Sequence, residues 1–354
     1  MRFKTPTRFT LREMTFSDGP AINALARRCP DGGSVSVRSV FRENAFHSVE
    51  SLRPAMVGIA AESPHLEGLV GMGWVSLGRC RLDGEMVPYA LLNTFMVHPE
   101  WRGQGIAAKL SNKAIEYATA RLGHRVLLVA DIQAGNTASS RWAGKWSNQV
   151  LQPVTVAPVT VRRRRPAKTA GVTVQPLTSD HAKAFAQGLN GFYEGYNLFQ
   201  PETADSLTAW LSQRPQGLTL NHCLTAKDPH GRLLAGLALE ETCQLRTYQI
   251  VHMPSFLHLA NRLLHVIPAD GILREILVSR FWFRTGKEAA ARFLWEQARW
   301  ECRDRGTALM PFSDPRSPLP RVIDLKPWSI RTTMNPVIRW EAPVALDRPV
   351  YPIP

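Results

Sequence analysis

The stretch "VHPEWRGQGIAAKL", residues 97–110, sets the end of an apolar run against two closely spaced glycines and then a helical pattern. A strand closing on His98-Pro99 and a helix opening near Gly105 leave a short turn containing Arg102, Gly103 and Gly105. The plainer reading is a loose glycine loop before a helix. The sharper one is a phosphate cradle. A helix N-terminus presents backbone N–H groups without internal partners, and the helix dipole adds partial positive charge there. Glycines let such a backbone approach a diphosphate closely, and Arg102 adds a formal charge where phosphate would sit. No third spaced glycine and no Lys-Ser/Thr pair follow, so this is neither the dinucleotide fingerprint nor the P-loop.

Residues 55–62, 68–78 and 87–99 read as strands. A helix over about 103–121, a strand over 125–131 and a short helix from about 136 follow. The remainder repeats this order weakly. "ESPHLEGLVGMG" (62–73) aligns without gaps on "KDPHGRLLAGLA" (227–238), each a strand, a Pro-containing turn and a strand. "LREMTFSD" near the start resembles "VQPLTSD" (174–180), and the helical patterns "GPAINALARR" and "HAKAFAQGLNGF" follow, with Ser17-Asp18 and Ser179-Asp180 as candidate N-caps. "LREILVSRFWF" (273–283), "KEAAARFLWEQARWECRDR" (287–305) and "TALMPF" (307–312) continue as strand, helix and strand. Interspersed strands and helices make the class α/β, as a tandem repeat of one fold. We expect domains at 1–156 and 171–354, joined by a basic Pro/Arg linker at 157–170.

The 354 residues suit two domains, and 44% hydrophobic with 20% charged residues suits packed cores. No run approaches the ~18–20 apolar residues of a membrane span, and "MRFKTPTRFTLREM" carries no apolar leader. Five scattered cysteines (Cys29, Cys80, Cys223, Cys243, Cys302) without a C-x-x-C pair argue against a disulfide framework or a metal site and suit a cytoplasmic protein. Of the net charge of +14, ten units fall in residues 1–165, four of them in the run Arg162–Arg165. Such a run reads as a solvated linker or as a contact for nucleic acid or phosphate.

With these residues in view, the sequence resembles the GNAT N-acetyltransferase superfamily. Its motif, Gln/Arg-x-x-Gly-x-Gly/Ala after a strand ending Val-x-Pro, is matched by Arg102, Gly105 and Ala107 in "VHPEWRGQGIA". "GNTASSRW" (135–142) is similar to the family's later asparagine motif, with Asn136 facing the cofactor. The likeness spans residues 1 to about 150 and, more faintly, the second half. It implies two tandem GNAT-like domains, each a mixed, mostly antiparallel sheet flanked by helices, the second degenerate. It also implies acetyl-CoA as co-substrate and no metal. Backbone N–H groups of Gly103, Gln104, Gly105, Ile106 and Ala107 would hold the pyrophosphate. The strand end Met96, Val97 and His98 would pair with the pantetheine arm and polarise the thioester carbonyl.

The customary acid and base positions are altered. Asn93 and Thr94 stand where the family often carries Glu or Asp, and Ala143 where it often carries Tyr. Asp131 and Ser140 remain as catalytic candidates beside Asn93, with no single decisive base expected. Placing Val278 on Val97 puts Phe283 at the Arg102 position, Gly286 at Gly105 and Glu288 at Ala107, which implies weakened cofactor binding in the second half. Trp74, Tyr89 and Trp142 flank the expected acyl site, and "NGFYEGYNLF" (190–199) reads either as an acceptor wall or as a packed loop. Three functions stand: acetyl transfer to a small or protein amine, a non-catalytic acyl-CoA-binding or regulatory protein, and acetylation of RNA through the basic linker.

Overall fold

Long antiparallel hairpins frame the first half. In chain order it runs β1 (Thr10–Glu13), α1 (Gly19–Arg28), β2 (Asp31–Gly32), β3 (Ser36–Phe41), α2 (Ala45–Leu52), β4 (Met56–Ser63), β5 (Leu66–Leu82) and β6 (Glu85–Val97). Then come α3 (Ile106–Leu122), β7 (Leu127–Gln133), α4 (Thr137–Ala143), β8 (Gln149–Val150), β9 (Val154–Val156) and β10 (Val159–Thr160). The second half runs β11 (Thr173–Pro176), α5 (Ala182–Phe192), α6 (Ala204–Ser212), β12 (Asn221–Lys227), β13 (Leu233–Glu240), β14 (Arg246–His252), β15 (Ile272–Leu273) and β16 (Glu275–Phe283). Helix Glu288–Glu301, β17 (Ala308–Ser313), helix Leu319–Ile323 and β18 (Thr332–Arg339) complete it. This computed structural model describes residues 8–32, 35–53, 55–255, 259, 261, 267–325 and 329–353. The first seven residues, part of the stretch read above as lacking a leader, lie outside the described residues.

The α/β repeat is present, with the expected hairpins at β4–β5 and β12–β13. Both halves share one 14-stranded sheet of order β1-β4-β5-β6-β7-β18-β9-β17-β16-β13-β12-β11, with β8 and β10 off this path. Pairing is antiparallel except at β6–β7 and β16–β17. The last strands are exchanged. β18, from the end of the chain, pairs with β7 of the first half, whereas β9 of the first half pairs with β17 of the second. A second, four-stranded sheet joins the halves again, because β14 pairs with β3 from Arg246↔Phe41 to His252↔Ser36. Its pairing could not be read from periodicity, which encodes faces and not partners.

Side-chain alternation divides the first half into two cores. Ala90 and Leu92 of β6 face Ile106, Leu110, Ala114 and Ala118 of α3, four residues spaced one helical turn apart. Tyr89 and Leu91 face the opposite side, toward Leu198, Val344 and Val350 of the second half. A Cβ at Gly71 would stand 2.8 Å from Ile106 Cγ2, so the absence of a side chain there sets how closely the start of α3 approaches the sheet. The two Ser-Asp pairs do not cap α1 and α5 directly. Asp18 accepts from the Thr15 amide at 2.7 Å and pairs with Arg12 at 2.6 Å, and Asp180 pairs with His181 at 2.9 Å. A short 3-10 turn precedes each helix and takes up those carboxylates.

Candidate functional site

Strands β6 and β7 pair in parallel only over Tyr89–Leu91 against Leu127–Val129, then diverge. The cause lies in β6. Between the pairs Trp74↔Asn93 and Met72↔Met96, one residue of β5 opposes two of β6, a bulge with Thr94 at φ +52°. Past it, the His98 amide turns inward to the Val70 carbonyl at 2.9 Å, and the His98 carbonyl accepts from the Trp101 amide at 2.9 Å. Both backbone groups of His98 are thus committed within the protein. Its buried ring takes a 2.8 Å contact between Nε2 and the Arg28 guanidinium. Alternation turns the Val97 backbone to the open, β7 side. There its carbonyl accepts from Cys29 Sγ and from Arg102 Nε, each at 3.3 Å.

Beyond the strand, Pro99–Trp101 form a short turn whose buried Trp101 packs into the α3 core. Gly103 (φ +80°) and Gly105 (φ +79°) both hold the left-handed conformation that favours glycine. No atom lies within 4 Å of a Cβ built at either one. Gly105 immediately precedes Ile106, so the amides of Ile106, Ala107 and Ala108 begin the helix without intrahelical acceptors. Ile106 is buried and anchors the helix start, while Arg102, Gly103 and Gly105 face solvent and Gln104 is half-buried. These N–H groups lie at an open helix start next to the diverging strands, a fit for a phosphorylated group.

Asn93 and Asp131 lie two residues past the last paired residues, Leu91 and Val129, and alternation puts both on the Leu91 face. Both are half-buried. Asp131 lies across from Pro336 of β18, and desolvation alone pushes its carboxyl up to about 7. No sequence signal marks that shift, because it depends on a strand contributed by the far end of the chain. Asn136 caps α4: its Oδ1 accepts from the Ser139 amide at 3.1 Å. Ser140 is exposed, and its hydroxyl donates to the Asn136 carbonyl at 3.0 Å. Among the flanking aromatics, Trp74 is core against Phe46, and Trp142 packs on Phe95 of the bulge at 5.0 Å. Tyr89 lines a cavity between the halves.

The second half repeats the bulge and closes the gap it makes. Between Ala238↔Ser279 and Gly236↔Trp282, Arg280 takes φ +51°, as Thr94 does in the first half. The shared bulge places Phe283 on Val97, a correction to the alignment of Val278 with Val97. Only four residues then separate β16 from its helix, against eight between β6 and α3. The two-glycine turn has no room to form. Tyr193 donates its hydroxyl to the Phe281 carbonyl at 2.7 Å, and Phe281, Phe312, Leu319 and Tyr351 crowd in, leaving about 20 Å³. "NGFYEGYNLF" packs Tyr193, Tyr196 and Phe199 into the second core, and its end, Leu198 and Phe199, also lines the cavity between the halves.

The arginine run is docked. Arg162 pairs with Glu296, its amide donates to the Arg299 carbonyl at 3.0 Å, and Arg165 lies over the Trp300 ring at 5.1 Å. Arg163 and Arg164 are exposed. All five cysteines are buried and none forms a disulfide. Among the described residues, no group of three or more His, Cys, Asp or Glu side chains is placed to hold a metal ion, and no helix is long and apolar enough to cross a membrane.

Residues 36–145 match the family model described as acetyltransferase (GNAT) family. No protein among those with curated descriptions matches the chain in sequence. Solved structures share the fold over nearly the whole length. A GCN5-related N-acetyltransferase from Sphaerobacter thermophilus is 14% identical at a TM-score of 0.61, covering 97% of this chain and 99% of its own. A tandem GNAT protein from the clavulanic acid biosynthesis pathway is 13% identical at 0.60, covering 96% and 100%. Saccharomyces cerevisiae N-myristoyltransferase with bound myristoyl-CoA is 10% identical at 0.64, covering 100% and 94%. The architecture is the GNAT fold in two linked copies.

Proposed function

We propose that this chain of tandem GNAT fold is an acyl-CoA-dependent N-acyltransferase that moves an acetyl group to an amine, with its chemistry confined to the first half. One observation carries the reading: the diverging β6 and β7 and the open N-terminus of α3 meet at one place, while the matching place in the second half is plugged by Tyr193 and its neighbours. A thioester supplies an activated acyl carbonyl; the residues of the chain bind, orient and deprotonate. Backbone amides from Gly103 to Ala107 would hold the pyrophosphate, assisted by Arg102. The outward-turned backbone at Val97 would pair with the pantetheine arm and donate an N–H to the developing oxyanion, whereas Met96, expected to share that role, turns its backbone to Met72 of β5. Asn136, with its Oδ1 committed to the helix cap, has its amide nitrogen left to donate to the same arm.

Asp131 is the general base in this reading. A carboxyl raised to about 7 is ionised in a useful fraction near neutrality and still basic enough to take an ammonium proton. Asn93, on the same face, positions the amine or a bridging water. The departing thiolate would take its proton from Asp131, which gained one from the amine, or from solvent; the Ser140 hydroxyl could donate to that sulfur only by giving up its bond to the Asn136 carbonyl. Acetyl is favoured over a long acyl chain because the cavity beside this site is lined by Arg53, Glu202, Glu240 and Arg280, which lose hydration against hydrocarbon. Thiol release from acetyl-CoA with a panel of amines, amino acids, polyamines and RNA tests the reading. Release that depends on one acceptor and is lost in Gly105→Glu is expected. Binding without any release would leave an acyl-CoA-binding protein.

A further inference from the structure

A cavity of about 260 Å³ lies between the two halves, on the Leu91 face of β6; beyond disfavouring a long acyl chain it has no part in the chemistry above. Four charged side chains line it: Arg53 from the first half, and Glu202, Glu240 and Arg280 from the second. Two of them satisfy each other. Arg280 binds Glu202 at 2.6 and 2.8 Å and lies 4.3 Å over the Trp210 ring, so this pair is a finished wall.

The other polar groups are unfinished. Glu240 is only 7% exposed, and its carboxylate has no hydrogen bond or ion pair among the described residues. Arg246, behind it, is engaged with Glu275 at 4.0 Å. Ser76, 8% exposed, has a buried hydroxyl without a partner. The half-buried Arg53 guanidinium likewise has no hydrogen-bonded partner among the described residues. A folded protein rarely leaves buried polar groups unpaired; here the Ser76 hydroxyl is buried without a partner, and Glu240 feels the charges of Arg53, Arg280 and Arg246 without a hydrogen bond to any of them, so the lining of this void is incomplete.

The charges specify that partner. Two cations and two anions make the lining neutral, so a simple cation meets Arg53 and Arg280, and a simple anion meets Glu202 and Glu240. A ligand carrying both signs satisfies Arg53 and Glu240 together. The volume falls just under the ~300–1,000 Å³ of drug-sized pockets, which limits it to a small molecule. Tyr89 and Leu91 supply an apolar floor.

We propose that this cavity binds a small zwitterion, an amine that also carries a carboxylate such as a free α-amino acid, its ammonium toward Glu240 and its carboxylate toward Arg53 and the Ser76 hydroxyl. That this zwitterion is the acyl acceptor rests on the acyltransferase reading: Asn93 and Asp131 do not line the cavity but lie two residues past Leu91 and its partner Val129, so the bound amine would have to leave Glu240 for Asp131 to react.

The test is equilibrium binding to the full chain, by calorimetry and thermal shift, of each of the twenty common amino acids at millimolar concentration. The best binder is then compared with its deaminated acid and its methyl ester. Each half-charged analogue should bind at least about tenfold more weakly, the worth of one charge-assisted hydrogen bond. Glu240→Gln should abolish discrimination against the deaminated acid, and Arg53→Gln discrimination against the ester, a crossed pattern that simple destabilisation does not produce. Should Glu240→Gln fail to fold, the half-buried Arg53→Gln carries its own arm. No binding by any amino acid, or equal binding of an analogue to the wild type, overturns the site. Binding without thiol release leaves the site and removes the acyltransferase reading. Thiol release with an amino acid, unaffected by either substitution, does the reverse.

Discussion

Replacing Asp131 by Asn removes a proton acceptor and almost no volume. The wild-type carboxyl sits at about 7 because burial disfavours its charged form, with no neighbouring cation to offset that. An acceptor amine with an ordinary pKa of about 10.4 is almost entirely protonated at neutral pH, so each turnover must shed a proton. With Asp131 as base, the rate rises with its ionised fraction and bends near pH 7; without it, the rate climbs through pH 9 as solution amine deprotonates. We expect Asp131→Asn to lower kcat by about 10²–10⁴-fold at pH 7, with acetyl-CoA affinity unchanged. Stability supplies an independent check of sign. A carboxyl whose folded pKa is raised from 3.8 to about 7 destabilises the fold once it ionises, so the cost appears as pH rises through that window. The bound is about 4 kcal/mol from 1.36 kcal/mol per pKa unit. Water reaching a half-buried group lowers this, and we expect about 1–2 kcal/mol. Asp131→Asn should therefore raise the denaturation midpoint at pH 8 and leave it unchanged at pH 4. A turnover loss under fivefold, or an unchanged bend near pH 7, refutes Asp131 as the base.

Gly105→Glu and Gly105→Gln pay the same left-handed backbone strain, about 1–2 kcal/mol, and differ only in charge. The Glu variant should be the more stable without ligand and bind coenzyme A about tenfold more weakly than the Gln variant; equal affinities would remove the pyrophosphate from this turn. Calorimetric titration of acetyl-CoA should give one site per chain, and two equivalent sites would contradict the plugged second half. Tyr193→Phe, which deletes the 2.7 Å bond to Phe281, should cost about 1 kcal/mol in urea denaturation and create no second coenzyme site. Changing Arg162–Arg165 to Ser should leave turnover on a small amine intact and lower stability by about 1 kcal/mol or less, mainly through the Arg162–Glu296 pair. A large, salt-sensitive loss of RNA affinity in that variant would favour the polyanion acceptor instead.

What could be read in the sequence was local. The glycines at 103 and 105, the apolar spacing along 106–118 and the alternation along 87–92 carry their own periodicity, and α3 and β6 fall within three residues of the expected ends. The two bulges were not legible. Thr94 and Arg280 hold φ values near +50° without being Gly or Asn, the residues that ordinarily advertise such a turn. Missing the second bulge displaced the alignment of the halves and concealed the four-residue deficit before helix Glu288–Glu301. The run Arg162–Arg165 reads as solvated because its partners, Glu296 and Trp300, are more than 130 residues away.

The exchanged strands explain how a cavity between two repeats can be specific. Were the halves joined only by residues 157–170, they would rotate about that linker and the distance between Arg53 and Glu240 would fluctuate. Instead β18 lies against β7, β8 and β9, β17 against β9 and β10, and β14 against β3, so separating the halves means breaking six ladders of backbone hydrogen bonds. The same arrangement places Pro336 of β18 across from Asp131 and helps keep that carboxyl dry. Tyr351, two residues from the end of the described chain, lines both the plugged gap and the cavity. The second half has given up its own cradle, yet it supplies the strand beside the base and three of the four charges in the binding void. Site rigidity and acceptor selectivity then have one cause, and a substitution that loosens β18 should degrade both together.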